Sequence, residues 1–175
     1  ASATAEIIFE DCFVPDSARV GKEGRGFMIA MQTLQMSRPV VAAISVGIAQ
    51  AAIEAAVAYS HHRKQFGVKI ATFEMVQQMI ADMVMKTEAA RILTYKACVA
   101  QMNKDKKAGL YSAMSKCFAS DTAMEVTTTA VQVMGGNGYS RENPVEKYMR
   151  DAKIMQIYEG TNQVQRLVIA NEATF

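Results

Sequence analysis

Cysteine and histidine are scarce in this chain of 175 residues, and neither falls in a pattern that suits metal or disulfide chemistry. Cys12, Cys98 and Cys117 are scattered and form no C-x-x-C pair, so a disulfide framework is not expected and small buried thiols are. The two histidines, His61 and His62, are adjacent. No E-x-x-H occurs, which leaves a di-iron carboxylate bundle unsupported, and a zinc site lacks ligands. An excess of one charge is missing too. Nineteen basic against seventeen acidic residues leave a net charge of +2, whereas binding nucleic acid calls for a concentrated positive field. No apolar run approaches the ~18 residues of a membrane span. The longest candidate, Pro39 to Gln50, is interrupted by Ser45 and Gly47. The opening Ala1-Ser2-Ala3-Thr4-Ala5-Glu6 has neither a basic nor an apolar targeting region.

What remains is a chain half apolar in composition and long enough to bury one core without staples. Ile7-Ile8-Phe9 and Cys12-Phe13-Val14-Pro15 read as one or two short strands. A lone strand pair cannot bury a face, and no other strand-like stretch exists, so a missing neighbouring sheet is expected.

Beyond Gly26 the pattern is helical. Pro39 predicts a kink or break at 36–39, after which Val40, Ile44, Ile48, Ala51 and Ala55 recur at helical spacing. Arg63 to Gly67 closes this helix with basic residues and a glycine stop. Thr72 is a candidate N-cap for a second helix reaching about Gln101, with Val76, Met79, Ile80, Met83 and Val84 as its stripe. A third helix spans roughly 106–134, with Leu110, Met114, Cys117, Phe118 and Met124 inward. It includes Thr127-Thr128-Thr129, where packing must override poor helix propensity. A fourth runs from Pro144 to about Tyr158. The last is capped by Thr161 or Asn162, and Asn162 with Gln165 has capping-box spacing. The fold class is all-α: an up-and-down four-helix bundle with an extra short C-terminal helix and a short β remnant in front.

Four places hold candidate chemistry. Gly135-Gly136-Asn137-Gly138 is a helix C-cap or a place of close backbone approach for a ligand, and it is not a dinucleotide fingerprint. Arg63 to Gly67 either satisfies the helix dipole or contacts an anion. Glu159 sits between two helices in Tyr158-Glu159-Gly160-Thr161. It is an exposed helix-end carboxylate or a general base aimed into a cleft. Arg38 is a surface arginine or an anion clamp.

Taken together, Pro144 to Lys153, Ile157-Tyr158-Glu159-Gly160-Thr161-Asn162-Gln163-Val164-Gln165-Arg166, Val131 to Tyr139, and Arg63-Lys64-Gln65-Phe66-Gly67 resemble the C-terminal part of the acyl-CoA dehydrogenase family. Ile8 to Pro15 and Glu23 to Phe27 resemble the end of that family's middle β-domain. The resemblance implies residues 1–24 as the end of that domain and 25–175 as the helical domain. It implies an FAD enzyme that oxidises an acyl-CoA thioester to the trans-2-enoyl-CoA and passes electrons to an electron-transfer protein. It further implies self-association to a dimer or tetramer, and a cytoplasmic or mitochondrial-matrix location according to the organism.

By this likeness Glu159 is the base, Arg63 and Phe66 contact a neighbouring subunit's flavin, and Gln132 and Gly136 contact the adenine end of the flavin nucleotide. Thr161 and Gln163 bind flavin phosphate or ribose. Arg38 and Gly160 meet the substrate. Ser37 matches the position where some members carry the base instead. Glu74 departs from the family's Phe-Gln pattern at Phe73-Glu74. The rival reading is a catalytically inert helical scaffold, against which the intact Tyr158-Glu159-Gly160-Thr161 argues.

Overall fold

A computed structural model describes residues 3–174. Five helices carry the chain: α1 (Gly26–His62), α2 (Glu74–Met102), α3 (Ala108–Met134), α4 (Val145–Met155) and α5 (Asn162–Thr174). Between α1 and α2 lies a small hairpin, β1 (Lys64–Gln65) and β2 (Val68–Lys69), antiparallel with Lys64 opposite Lys69 and Gln65 opposite Val68. The short α2–α3 connection makes those helices antiparallel neighbours. Helix α3 packs against each of the other four, and its interior face is correspondingly the most continuously buried.

The core is built largely of alanine: Ala49, Ala52, Ala56, Ala123, Ala130 and Ala152, filled out by Met83, Val126, Val133 and Val145. Small side chains let helix backbones approach closely, so larger apolar residues are left outward. This corrects the expected register of α1. Val40 and Ile44 are exposed, whereas Val41, Ala42, Ser45, Val46, Ala49, Ala52, Ile53 and Ala56 are buried. The helix is apolar on nearly every side, so spacing alone could not choose its inward face. Val84 and Phe118 are likewise turned outward rather than inward.

The break expected at Pro39 does not occur. Helix α1 runs through it without interruption, and Pro39 is buried. Proline deprives the carbonyl four residues back of its donor. That carbonyl belongs to Gln35, and Gln101 Nε2 of α2 donates to it at 2.8 Å. The continuous helix makes α1 long and apolar enough in composition to cross a membrane, contrary to the reading of a broken run. Its packing against α2, α3 and α4 accounts for that character.

The β remnant expected in front is absent as strand. Residues 3–15 form no ladder, and Ile7, Ile8 and Phe9 are exposed. A strand needs a pairing edge, and none stands beside these residues. The one hairpin lies instead at Lys64–Lys69, where a helix end was expected. Helix α4 ends at Met155, short of the expected Tyr158. Thr72 does not cap α2; its hydroxyl donates to Lys69 O at 2.7 Å. The Thr127-Thr128-Thr129 stretch is helical, each hydroxyl bonding the carbonyl four residues back at 2.7–2.9 Å.

Candidate functional site

Helix α4 cannot run on into α5 because the chain between them is left-handed at two consecutive residues. Glu159 has φ +56° and Gly160 has φ +87°. Glycine adopts that conformation freely, whereas glutamate does so at a cost of ~1–2 kcal/mol. A side chain at Gly160 would also displace a neighbour: a Cβ there would stand 2.5 Å from Gln165 Nε2, which would have to move. The hinge thus presents a half-buried carboxylate on a fixed, strained backbone. Glu159 Oε2 accepts a hydrogen bond from Ser37 Oγ at 2.6 Å, so α1 and the α4–α5 hinge meet at this point.

Arg38 lies one residue further along α1. Its Nε is buried with no hydrogen-bond partner among the described residues. Burial lowers the Arg38 pKa below its ordinary value, opposed by the nearby charges of Glu159 and Glu172. A buried guanidinium nitrogen without a partner is an unmet donor, and the charges of Glu159 and Glu172 beside it keep the head group cationic.

Beneath the hinge is a polar cluster that sequence reasoning missed. Lys116 is completely buried on α3, and its Nζ donates to Gly160 O and Asn162 Oδ1, both at 2.8 Å. Asn162 Nδ2 donates to Ser120 Oγ at 2.8 Å and to Asp121 Oδ1 at 2.7 Å. Asp121 also accepts from Gln156 Nε2 and Arg166 Nη2, each at 2.6 Å. Burial pushes the Asp121 carboxyl upward, but the hydrogen bonds from Arg166, Asn162 and Gln156 outweigh it and hold its pKa below the usual value. Asn162 and Gln165 therefore do not form the expected capping box. Thr161 is the cap, its Oγ1 accepting from Val164 N at 3.3 Å. The signal for the cluster was present: Lys116 shares a helix face with Ala113, Ser120 and Ala123, which are core positions.

The remaining candidates separate into two clefts. Arg63, Gln132 and Gly136 line one of about 460 Å³ where the ends of α1 and α3 meet, together with Tyr59, Phe73 and Asn137. Gly135 ends α3 with φ +60°, so the glycine run is a helix C-cap that also opens a cleft wall. Phe66 does not line this cleft. It sits at the hairpin tip, 94% exposed, with φ +52°. Thr161 and Gln163 line the second cleft, of about 530 Å³, with Lys153, Gln156 and Arg166. Glu159, Gly160 and Arg38 line neither. Exposed Glu74 begins α2, with no hydrogen bond of its side chain among the described residues.

Among the described residues no group of three or more His, Cys, Asp or Glu side chains is arranged to hold a metal ion.

Residues 24–174 match the family model described as acyl-CoA dehydrogenase, C-terminal domain. The chain is 54% identical over 169 residues to "Probable acyl-CoA dehydrogenase FadE25" of Mycobacterium tuberculosis, covering 97% of this chain and 43% of that protein. The butyryl-CoA dehydrogenase of Megasphaera elsdenii superposes with a TM-score of 0.92 at 49% identity, over 96% of this chain and 44% of that one. A chain in a structure reported for the electron transferring flavoprotein of Acidaminococcus fermentans superposes with a TM-score of 0.91 at 55% identity, over 95% of this chain and 44% of that one. The chain thus spans less than half the length of the relatives it matches.

Proposed function

The chain belongs to the acyl-CoA dehydrogenase family, and from that premise we propose that it is the helical part of an enzyme that dehydrogenates an acyl-CoA thioester, with Glu159 as its base. Residues 1–24 are then the end of a preceding β-domain and residues 25–175 the helical domain.

The observation that carries this reading is the Glu159 hinge. The carboxylate is half-buried, held on a left-handed backbone and bonded to Ser37 across the helix pair. A thioester α-proton is weakly acidic, so its base must be positioned, and the enolate-like oxygen must find donors. The backbone N–H groups of Glu159, Gly160 and Thr161 donate to no acceptor among the described residues. They are available at that oxygen and at anions beside the start of α5. The Arg38 guanidinium orients the CoA portion. Gly160 keeps the backbone bare where the substrate passes.

The residues present suit FAD. The first cleft offers the Arg63 guanidinium and the Gln132 amide beside an open Gly136 wall. The second offers Thr161 and Gln163 at a helix N-terminus. Two separate clefts fit two flavins, one at Thr161 and Gln163, the other at Arg63, Gln132 and Gly136, with Phe66 reaching a neighbour's flavin from the exposed hairpin tip outside the cleft. FAD, when bound, supplies the acceptor for the hydride that leaves the β-carbon. Self-association to a dimer or tetramer follows, and the outward faces are apolar enough for it: Met75, Met85, Ile92, Tyr95, Val99 and Met102 on α2 are exposed. An electron-transfer protein then accepts the electrons.

The direct test is anaerobic reduction of the full-length enzyme by acyl-CoA substrate. Glu159→Gln keeps size and polarity, and flavin and CoA binding persist, while the reduction rate falls ~10²–10⁴-fold, the range for loss of a general base. Reduction at the wild-type rate refutes the assignment. Retained flavin binding also separates this reading from an inert scaffold, which binds none.

A further inference from the structure

We propose that Lys116 is a positioning residue that fixes the Glu159 hinge from below; this rests on the reading of Glu159 as the base. Two side chains from different helices reach the hinge backbone from within the core. Lys116 Nζ donates to the Gly160 carbonyl at 2.8 Å, and Gln165 Nε2 donates to the Glu159 and Gly160 carbonyls, each at 3.2 Å. Both side chains are fully buried. Two consecutive carbonyls are therefore drawn inward.

In a trans peptide the N–H points opposite to the C=O. Drawing in the Glu159 carbonyl turns the Gly160 N–H outward, and drawing in the Gly160 carbonyl turns out that of Thr161. Neither N–H donates to a protein acceptor among the described residues. A left-handed glutamate persists only where its surroundings over-determine it, and this pair of anchors does so. Gln165 makes its bonds as a neutral amide. Lys116 adds charge, which strengthens its bonds and polarises the peptide it holds. Asp121 and Cys117 on α3, Glu159 in the hinge and Arg38 on α1 act on the ammonium electrostatically. Burial lowers its pKa to about 8, so it titrates within an accessible range.

The test uses the full-length, flavin-loaded enzyme carrying Lys116→Met, which keeps side-chain length and removes the donors. The rate of flavin reduction per bound flavin falls ~10²-fold, the scale of an ångström's misplacement. A second readout separates positioning from mere structural support. In a 3-thia-acyl-CoA, sulfur replaces the β-carbon, so an α-proton can leave but no hydride can follow. Its deprotonated form against oxidised flavin gives a long-wavelength absorption band. In Lys116→Met the analogue binds but the band is diminished. A purely structural lysine lowers melting temperature and flavin content while leaving rate per flavin and band unchanged, and that result overturns the proposal. If Lys116→Met does not fold, Lys116→Gln, a shorter and neutral side chain, decides by the same two readouts. Glu159→Gln run alongside keeps the two claims apart. Reduction at the wild-type rate in Glu159→Gln refutes the base, whereas the wild-type rate in Lys116→Met with slowed reduction in Glu159→Gln refutes the positioning role alone.

Discussion

Ser37 Oγ and Glu159 Oε2 are 2.6 Å apart, although 122 residues separate them in the chain. A carboxylate grown from position 37 would therefore project into the space that the Glu159 carboxylate occupies. In the full-length enzyme, Glu159→Gln slows substrate-driven flavin reduction ~10²–10⁴-fold, and adding Ser37→Glu restores part of the rate. Complete recovery is not expected, because the new carboxylate approaches from α1 rather than from the hinge and proton transfer is sensitive to geometry. Stopped-flow absorbance of the double variant checks this. A folded, flavin-loaded double variant with no recovered rate refutes the shared position.

The helices and their order are legible in the sequence because Ala, Met and Val at helical spacing leave little alternative, and glycine and proline mark the ends. Which side faces inward is not. Val40 and Val41 fit an apolar stripe equally well, and only the neighbours' shapes decide between them. Glu159 was legible as a carboxylate between two helices, and the family likeness singled it out. Its left-handed backbone and its bond to Ser37 are tertiary facts, as is the anchoring by Lys116. A lysine among alanines and serines reads as a surface residue until the partners that neutralise its burial, Asn162 and the Gly160 carbonyl, come from 44 or more residues away. The hairpin at Lys64–Lys69 was hidden because each of its strands has only two residues.

Phe66 is the exposed tip of that hairpin. A phenylalanine with φ +52° and 94% of its surface in water is neither comfortable nor buried in the protomer. Asparagine tolerates the left-handed conformation better. Phe66→Asn therefore stabilises the apo protein against urea by up to ~1 kcal/mol while weakening flavin retention, the outcome expected under the proposed contact of this ring with a neighbour's cofactor. Urea titration of the apoprotein and flavin release from the holoenzyme measure the two effects. Tighter flavin retention in Phe66→Asn contradicts the expectation.

Lys116 makes stability depend on alkaline pH. Its pKa is lowered from 10.5 to about 8, chiefly by burial, so between those values the unfolded chain binds the proton more than the folded one. Stability rises with pH across this window. The contribution is fully present above the unfolded value and is lost as pH falls through about 8. The slope approaches at most ~1.4 kcal/mol per pH unit for one proton. Burial raises the pKa values of Cys117 and Tyr158, and these oppose the trend. The difference between wild type and Lys116→Met removes the Tyr158 share, whereas Cys117, whose pKa Lys116 lowers, leaves a residual coupling in it. Denaturant melts of both proteins from about pH 7.5 to 10.5 should give a difference that grows with pH; a flat difference counts against it.

Pro39 and Gln101 form an energetic pair that a double-mutant cycle can read. Proline leaves the Gln35 carbonyl without its helical donor, and Gln101 Nε2 supplies the substitute at 2.8 Å while also donating to Ser112 Oγ at 2.9 Å. In the wild-type background, Gln101→Met costs ~1 kcal/mol, because the Gln35 carbonyl loses its protein donor and Ser112 Oγ loses its bond as well. Pro39→Ala returns the amide N–H to the ladder, so the carbonyl is satisfied within α1 and no longer depends on α2. Gln101→Met in that background then costs less by ~0.5–1 kcal/mol, the part owed to Gln35 rather than to Ser112. The space vacated by the proline ring is the same in both proteins that carry Pro39→Ala, so its cost cancels in the cycle. Urea denaturation of the four proteins gives the coupling energy. A coupling of zero within error shows that Gln101 does nothing for the carbonyl that Pro39 strands, and that the continuity of α1 through the proline has another cause.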